Sequence, residues 1–264
     1  MFGFPSVERK VFKRNFLKTA IFSLEFDVNF GIDKKDQIQN IFNGFSIGLI
    51  QGVGINFKIE NGKQFIEKND DIDFRGFELK SENDSLQITI EQKKLVFKIN
   101  TEQYTSFESF TNYLLEINEL FALLNIEEYS NLSIRKINVV EFVRSADETS
   151  VPQTLLSTLI NKKLVGDINY FGENDYVVSN ISNLILKDNN HLLNLRYGLN
   201  SPKGIENEIR HILVDIEVSK KTSENKGNLI NEISEINSYV FDAFCWVTSG
   251  IFKNLLEDDR INEV

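Results

Sequence analysis

Apolar and polar side chains alternate between Ala20 and Asp27, with Phe22, Leu24 and Phe26 set against Ser23, Glu25 and Asp27. This is the period of a strand with one dry face and one wet face. Gly31 ends it, and Asp33 is expected to cap a short helix whose apolar positions Ile38, Ile41, Phe42 and Phe45 recur at helical spacing. A strand with Ile47, Leu49, Val53, Ile55 and Phe57 follows, interrupted by Gly44, Gly48, Gly52 and Gly54, which mark bulges and twist. Three further strands are predicted at Phe74–Lys80, Leu86–Ile90 and Leu95–Ile99, and their short polar connections imply antiparallel neighbours. Thr105 and Glu108 then form a capping box. Behind it Phe107, Phe110, Leu114, Ile117, Phe121 and Leu124 recur in steps of three and four, the stripe of one long amphipathic helix.

The same order begins again at Leu132–Val143, a stretch that becomes apolar on both faces toward its end, as in the middle of a sheet. Pro152 opens a helix carrying Leu155, Leu156, Leu159, Ile160 and Leu164, which Gly166 stops. Strands are predicted near Tyr176–Lys187, His191–Leu199 and Arg210–Lys220, the last two joined by the turn Ser201-Pro202-Lys203-Gly204, and Thr222–Gly227 reads as a surface loop. A closing helix carries Leu229, Ile233, Ile236, Val240, Phe244, Val247, Ile251 and Leu255 on one stripe. Phe244 and Trp246 are expected in the core.

Each half thus reads β-α-(β)n-α, over residues 15–125 and 131–257. The prediction is an α+β chain forming a single pseudo-twofold domain over residues 1–264. Two copies joined edge to edge give one twisted antiparallel sheet with the long helices on one face. That architecture resembles a TATA-binding-protein-type saddle, or a helix-grip fold with its groove open, and carries no function of its own.

The 264 residues include 41% hydrophobic residues and 22 Phe, enough for a sizeable core. A net charge of -10 weighs against direct nucleic-acid binding, which rests on Lys and Arg neutralising phosphates. The single cysteine, Cys245, rules out an internal disulfide and reads as a small buried hydrophobe in Phe241–Val247. No apolar run reaches the roughly 20 residues that span a bilayer. Glu8, Arg9, Lys10, Lys13, Arg14 and Lys18 break up any leader-like stretch, so a cytoplasmic location is expected.

Candidate chemistry is sparse. The glycine-rich run lacks the GKS/T ending of a phosphate loop, two histidines do not make a metal site, and the pairs Asp70-Asp71 and Asp258-Asp259 read as solvated charge in a turn and a tail. Alternation places Arg196 on one sheet face with His211, Leu213, Asp215 and Glu217, and a diagonal Arg196–Asp215 ion pair across two strands is expected. Arg196, Arg210 and His211, with Asp215 and Arg135, are therefore the candidate ligand-binding residues for a small nucleotide or anion. The competing reading is a cross-strand salt bridge. No catalytic residue and no cofactor is expected.

Several segments carry a family resemblance: Asn15–Phe26, Tyr104–Phe110, Ile134-Arg135-Lys136-Ile137-Asn138, Ile212–Ile216 and Phe241–Thr248. In order and spacing the chain resembles a sporadically distributed bacterial and archaeal family of unassigned activity, often found near defence or mobile genes. The resemblance implies an accessory gene in anti-phage defence or a toxin–antitoxin pair. The expected role is a non-catalytic protein-binding or regulatory subunit, acting through a homodimer or a protein encoded nearby. The alternative is a nucleotide-binding sensor or enzyme with its site at Arg196, Arg210 and His211.

Overall fold

The alternation around Phe22 forms strand β1 (Leu17–Glu25), followed by a 3-10 turn (Ile32–Lys34) and helix α1 (Lys35–Ile41). Strands β2 (Ser46–Glu60), β3 (Lys63–Lys80), β4 (Leu86–Glu91) and β5 (Lys94–Asn100) come next, then helices α2 (Glu108–Thr111) and α3 (Leu114–Leu124). The chain continues as β6 (Glu128–Val143), α4 (Pro152–Leu159), α5 (Lys162–Val165), β7 (Ser179–Asp188), β8 (His191–Asn200), β9 (Ile209–Asn225), α6 (Leu229–Val247) and α7 (Gly250–Glu257). This computed structural model describes residues 1–8, 12, 16–60, 63–100, 107–143, 152–165, 179–200, 209–225 and 228–257.

Among the described residues nine strands make one open antiparallel sheet in the order β2-β3-β4-β5-β1-β6-β9-β8-β7. The centre is β1 against β6, with Phe22 opposite Ile134. From that pair one row of side chains runs both ways in register: Ile134, Val218 and Leu193 on one side, Phe97, Ile88 and Leu79 on the other. Phe22 and all six of these are at most 5% exposed. Full burial of each such side chain is worth about 1.5–3 kcal/mol, so this row is the spine of the fold.

The helices cover the face that carries this row. Phe110 of α2 lies 4.5 Å from the Phe22 ring and 5.8 Å from Phe97, while Ile233, Ile236 and Val240 of α6 are buried above β6 and β9. Ile38 of α1, Leu156 of α4 and Phe252 of α7 join the same continuous core. On the opposite face, Ile21, Val96, Ile137, Val139, Leu213 and Ile181 are half-buried, and none belongs to that core.

Several expectations change. The first long helix breaks at Asn112 and Tyr113, where Tyr113 N–H donates to the Phe110 carbonyl and its ring turns toward Phe45 and Phe97. The helix after Pro152 breaks at Ile160-Asn161, and the closing helix breaks at Thr248-Ser249. These two breaks are one feature. Ile160 and Thr248 form an antiparallel bridge, with Asn161 N–H to the Val247 carbonyl and Ser249 N–H to the Leu159 carbonyl, each 2.8 Å. Asn161 Nδ2 adds a bond to the Trp246 carbonyl at 2.8 Å. Long-range partners thus replace the intrahelical bonds each helix gives up.

Asp33 does not cap α1, whose N-cap is Lys34 with no side-chain cap bond. Thr222–Asn225 continue β9 rather than forming a loop, and Asp70-Asp71 lie within β3 rather than in a turn. The glycine-rich strand does carry its bulges, at Ile50/Gln51 and Val53/Ile55. Thr105, the turn at 201–204, Gly166 and Asp258-Asp259 lie outside the described residues.

Candidate functional site

Strands β6, β9 and β8 bring three of the five candidates together on the face away from the helices. Asp215 stands directly opposite Ile137 on β6 and Arg196 on β8. Arg135, two residues from Ile137, reaches diagonally to it: Nε donates to Oδ1 at 2.8 Å and a terminal nitrogen to Oδ2 at 2.7 Å. This is the two-pronged geometry a guanidinium offers a carboxylate. Asp215 is 3% exposed although it lies on the face away from the helices, and Arg135 and Arg196 both reach its carboxylate. Its hydrogen bonds hold the Arg135 guanidinium above its ordinary pKa.

Arg196 approaches the same carboxylate at 3.7 Å, an ion pair outside hydrogen-bond distance. The expected Arg196–Asp215 pair is therefore present, between residues directly opposite rather than diagonal, with Arg135 as the stronger partner. His211 lies four residues along β9 with Nε2 3.2 Å from Glu141 Oε2, a contact not aligned as a hydrogen bond. Arg210 pairs through its backbone with Phe142, and its side chain lies outside the described residues. Arg196, Asp215 and Arg135 thus form one cluster, and His211 stands apart from it.

Apolar residues frame the cluster. Val139 faces Leu213, Leu213 faces Gly198, and Gly198 faces Ile181, a row across four strands. Gly198 has φ +148, and a Cβ there would overlap the Asn180 carbonyl oxygen, so the row is notched at that point. Ser23 and Ser133, also on this face, bond through their hydroxyls at 2.7 Å across the central strand pair.

A second polar cluster, which the sequence reading missed, lies on the opposite side under α6. Lys220 Nζ, from β9, sits 2.6 Å from Glu232 Oε2 and donates to Glu235 Oε2 at 3.0 Å, and Tyr239 donates to Glu235 at 2.7 Å. His191 packs edge-on against Tyr239, is 4% exposed, and neither ring nitrogen has a hydrogen-bond partner among the described residues. Burial pushes the His191 pKa down. Burial also opposes the charge on Lys220, but its two carboxylates prevail and raise its pKa. The helical spacing of Glu232, Glu235 and Tyr239 was visible; only the fold shows that Lys220 and His191 lie beneath it.

Cys245 is buried on α6. Among the described residues no group of three or more His, Cys, Asp or Glu side chains is placed to hold a metal ion, and no helix is long and apolar enough to cross a membrane. The chain matches no protein-family model, and a search of characterised proteins finds no match.

Proposed function

We propose that this chain is a non-catalytic protein-binding or regulatory subunit, and that the sheet face opposite the helices is its contact surface. One observation carries the reading: the half-buried row Val139, Leu213 and Ile181, with Ile137 beside it, lies outside the core to which the helices contribute. A contiguous apolar row set among charged groups is how a protein contact surface is built. The nucleotide reading loses ground because Arg135, one of its cations, is already committed to Asp215.

The architecture we infer for this role is an internally duplicated, single pseudo-twofold domain of the TATA-binding-protein-like saddle type. Its support is the strand order, which runs β5-β4-β3-β2 outward from β1 and β9-β8-β7 outward from β6. In each half the last strand lies beside the first. The partner we propose is a second copy or a protein encoded nearby, in an anti-phage defence or toxin–antitoxin system in the cytoplasm. The net charge of -10 argues against nucleic acid on the face.

The test is to place a charge on the apolar row. Leu213→Glu and Val139→Glu are expected to fold yet to lose self-association in analytical ultracentrifugation, or stoichiometric copurification with the product of a neighbouring gene. A complex that survives both changes removes this face as the contact surface. A nucleotide found bound to the native protein by mass spectrometry supports the sensor alternative.

A further inference from the structure

Resting on the protein-binding reading, we propose that Arg196 is the anchor of this face and that it receives an acidic side chain of the partner protein, an Asp or Glu flanked by aliphatic residues.

The argument starts from how the charges on β6, β9 and β8 are shared. Asp215 has two oxygens, and both accept from Arg135. Glu217, the register partner of Arg135, also acts on that guanidinium. Arg135 is therefore served by two carboxylates. Arg196 has only the 3.7 Å approach to an oxygen already in use, and makes no hydrogen bond among the described residues. A guanidinium carries five N–H donors in a planar fork matched to a carboxylate, and here the fork is half exposed, with 47% of the side chain accessible.

Its surroundings suit a protein side chain. Arg196 lies between Asp215 and Asn183 in register; at the diagonal positions it has Glu217 of β9 and three aliphatic residues, Leu213 of β9 and Ile181 and Ile185 of β7. Ile185 is 59% exposed. Bringing aliphatic residues of a partner onto these three excludes water around the fork, which strengthens a carboxylate contact made at its centre. Gly198, two residues further along β8 on this face, places no side chain beside the fork.

The experiment is selection from a randomised peptide display library on the immobilised full chain, repeated on Arg196→Gln and Leu213→Glu, with thermal unfolding to confirm that each variant is folded. Wild-type protein is expected to enrich peptides with Asp or Glu next to Leu, Ile or Val. On Arg196→Gln the acidic enrichment should vanish, with a loss of about tenfold in affinity for the acidic peptides, as suits a charge-assisted pair. Binders that lack an acidic residue, or acidic enrichment that persists on Arg196→Gln, overturn the anchor while leaving the contact face in place. Failure of Leu213→Glu to reduce binding overturns the underlying reading of the face. Retention of ATP by the wild type but not by Arg196→Gln assigns the fork to a phosphate ligand, and the proposal falls.

Discussion

Arg135 passes over Glu217, its own register partner, to bind both carboxylate oxygens of Asp215 on the neighbouring strand. The pair is asymmetric, since the Asp215 side chain is 5% exposed and the Arg135 side chain 33%. Removing the arginine leaves a buried anion with only the 3.7 Å approach of Arg196, while removing the aspartate leaves a cation that water can reach. Arg135→Ala is expected to cost about 3–5 kcal/mol and Asp215→Ala less. Urea unfolding of both single variants and the double variant checks this, and equal losses for the two single changes would contradict it.

Stability should fall on mild acidification because of His191. Burial holds its pKa in the fold below the ordinary value of 6.5, so the unfolded chain takes up a proton first as pH drops. The stability it contributes is therefore complete above about pH 6.5 and is lost as pH falls from there toward the lowered pKa. Asp188, Glu232 and Glu235 pull the other way and Lys220 adds to the shift, without reversing it. A second loss follows lower down. Burial opposes the charge on Glu235, but bonds from Tyr239 and Lys220 keep its pKa below 4.5, so its contribution disappears as pH falls below that. Denaturant midpoints of His191→Phe against pH are expected to lack the first slope and keep the second.

Gly198→Ala should destabilise by more than the roughly 1 kcal/mol that a compatible glycine-to-alanine change gains, since it combines a positive φ with overlap on the Asn180 carbonyl. Gly76→Ala meets the Ile90 carbonyl in the same way. Both are expected to lower the melting temperature, by about 2–4 °C for each kcal/mol lost in a chain of this size. An unchanged midpoint for either would mean that the strand yields locally.

Phe97→Ala, at 0% exposure and in ring contact with Phe22, Phe42, Phe110 and Tyr113, is expected to cost about 3–5 kcal/mol. Phe244, placed in the core by its stripe, is only partly buried and touches Phe12 and Phe252 at the margin. Phe244→Ala should therefore cost clearly less. Parallel denaturant melts rank the two.

What could be read from the chain followed from period. Leu86–Glu91 and Lys94–Asn100 alternate cleanly, and their bounds were read almost to the residue. Lys63–Asp73 was missed as strand because its polar residues show no alternation, and it is held as a strand by pairing with β2. The helix breaks at Asn161 and Thr248 carry no local proline, and they exist because two distant segments bond to one another. Arg196 and Asp215 were paired correctly because adjacent strands share a face. Arg135 stood among the candidates without its partner, since the register of β6 on β9 joins residues 80 apart. His191 gave no sign of burial, because a polar residue at the start of a strand ordinarily points to solvent.

The position of β1 also sets a timetable for the chain as it is made. It is made before either of its neighbours, β5 and β6, and Ser23 meets its hydroxyl partner Ser133 only 110 residues later. Until then a strand carrying Phe22 and Leu24 has β5 beside it at most and lacks its other backbone partner, β6. The two halves of the sheet can thus join only once β6 is made, and until then the N-terminal half presents a sticky, unfinished edge along β1.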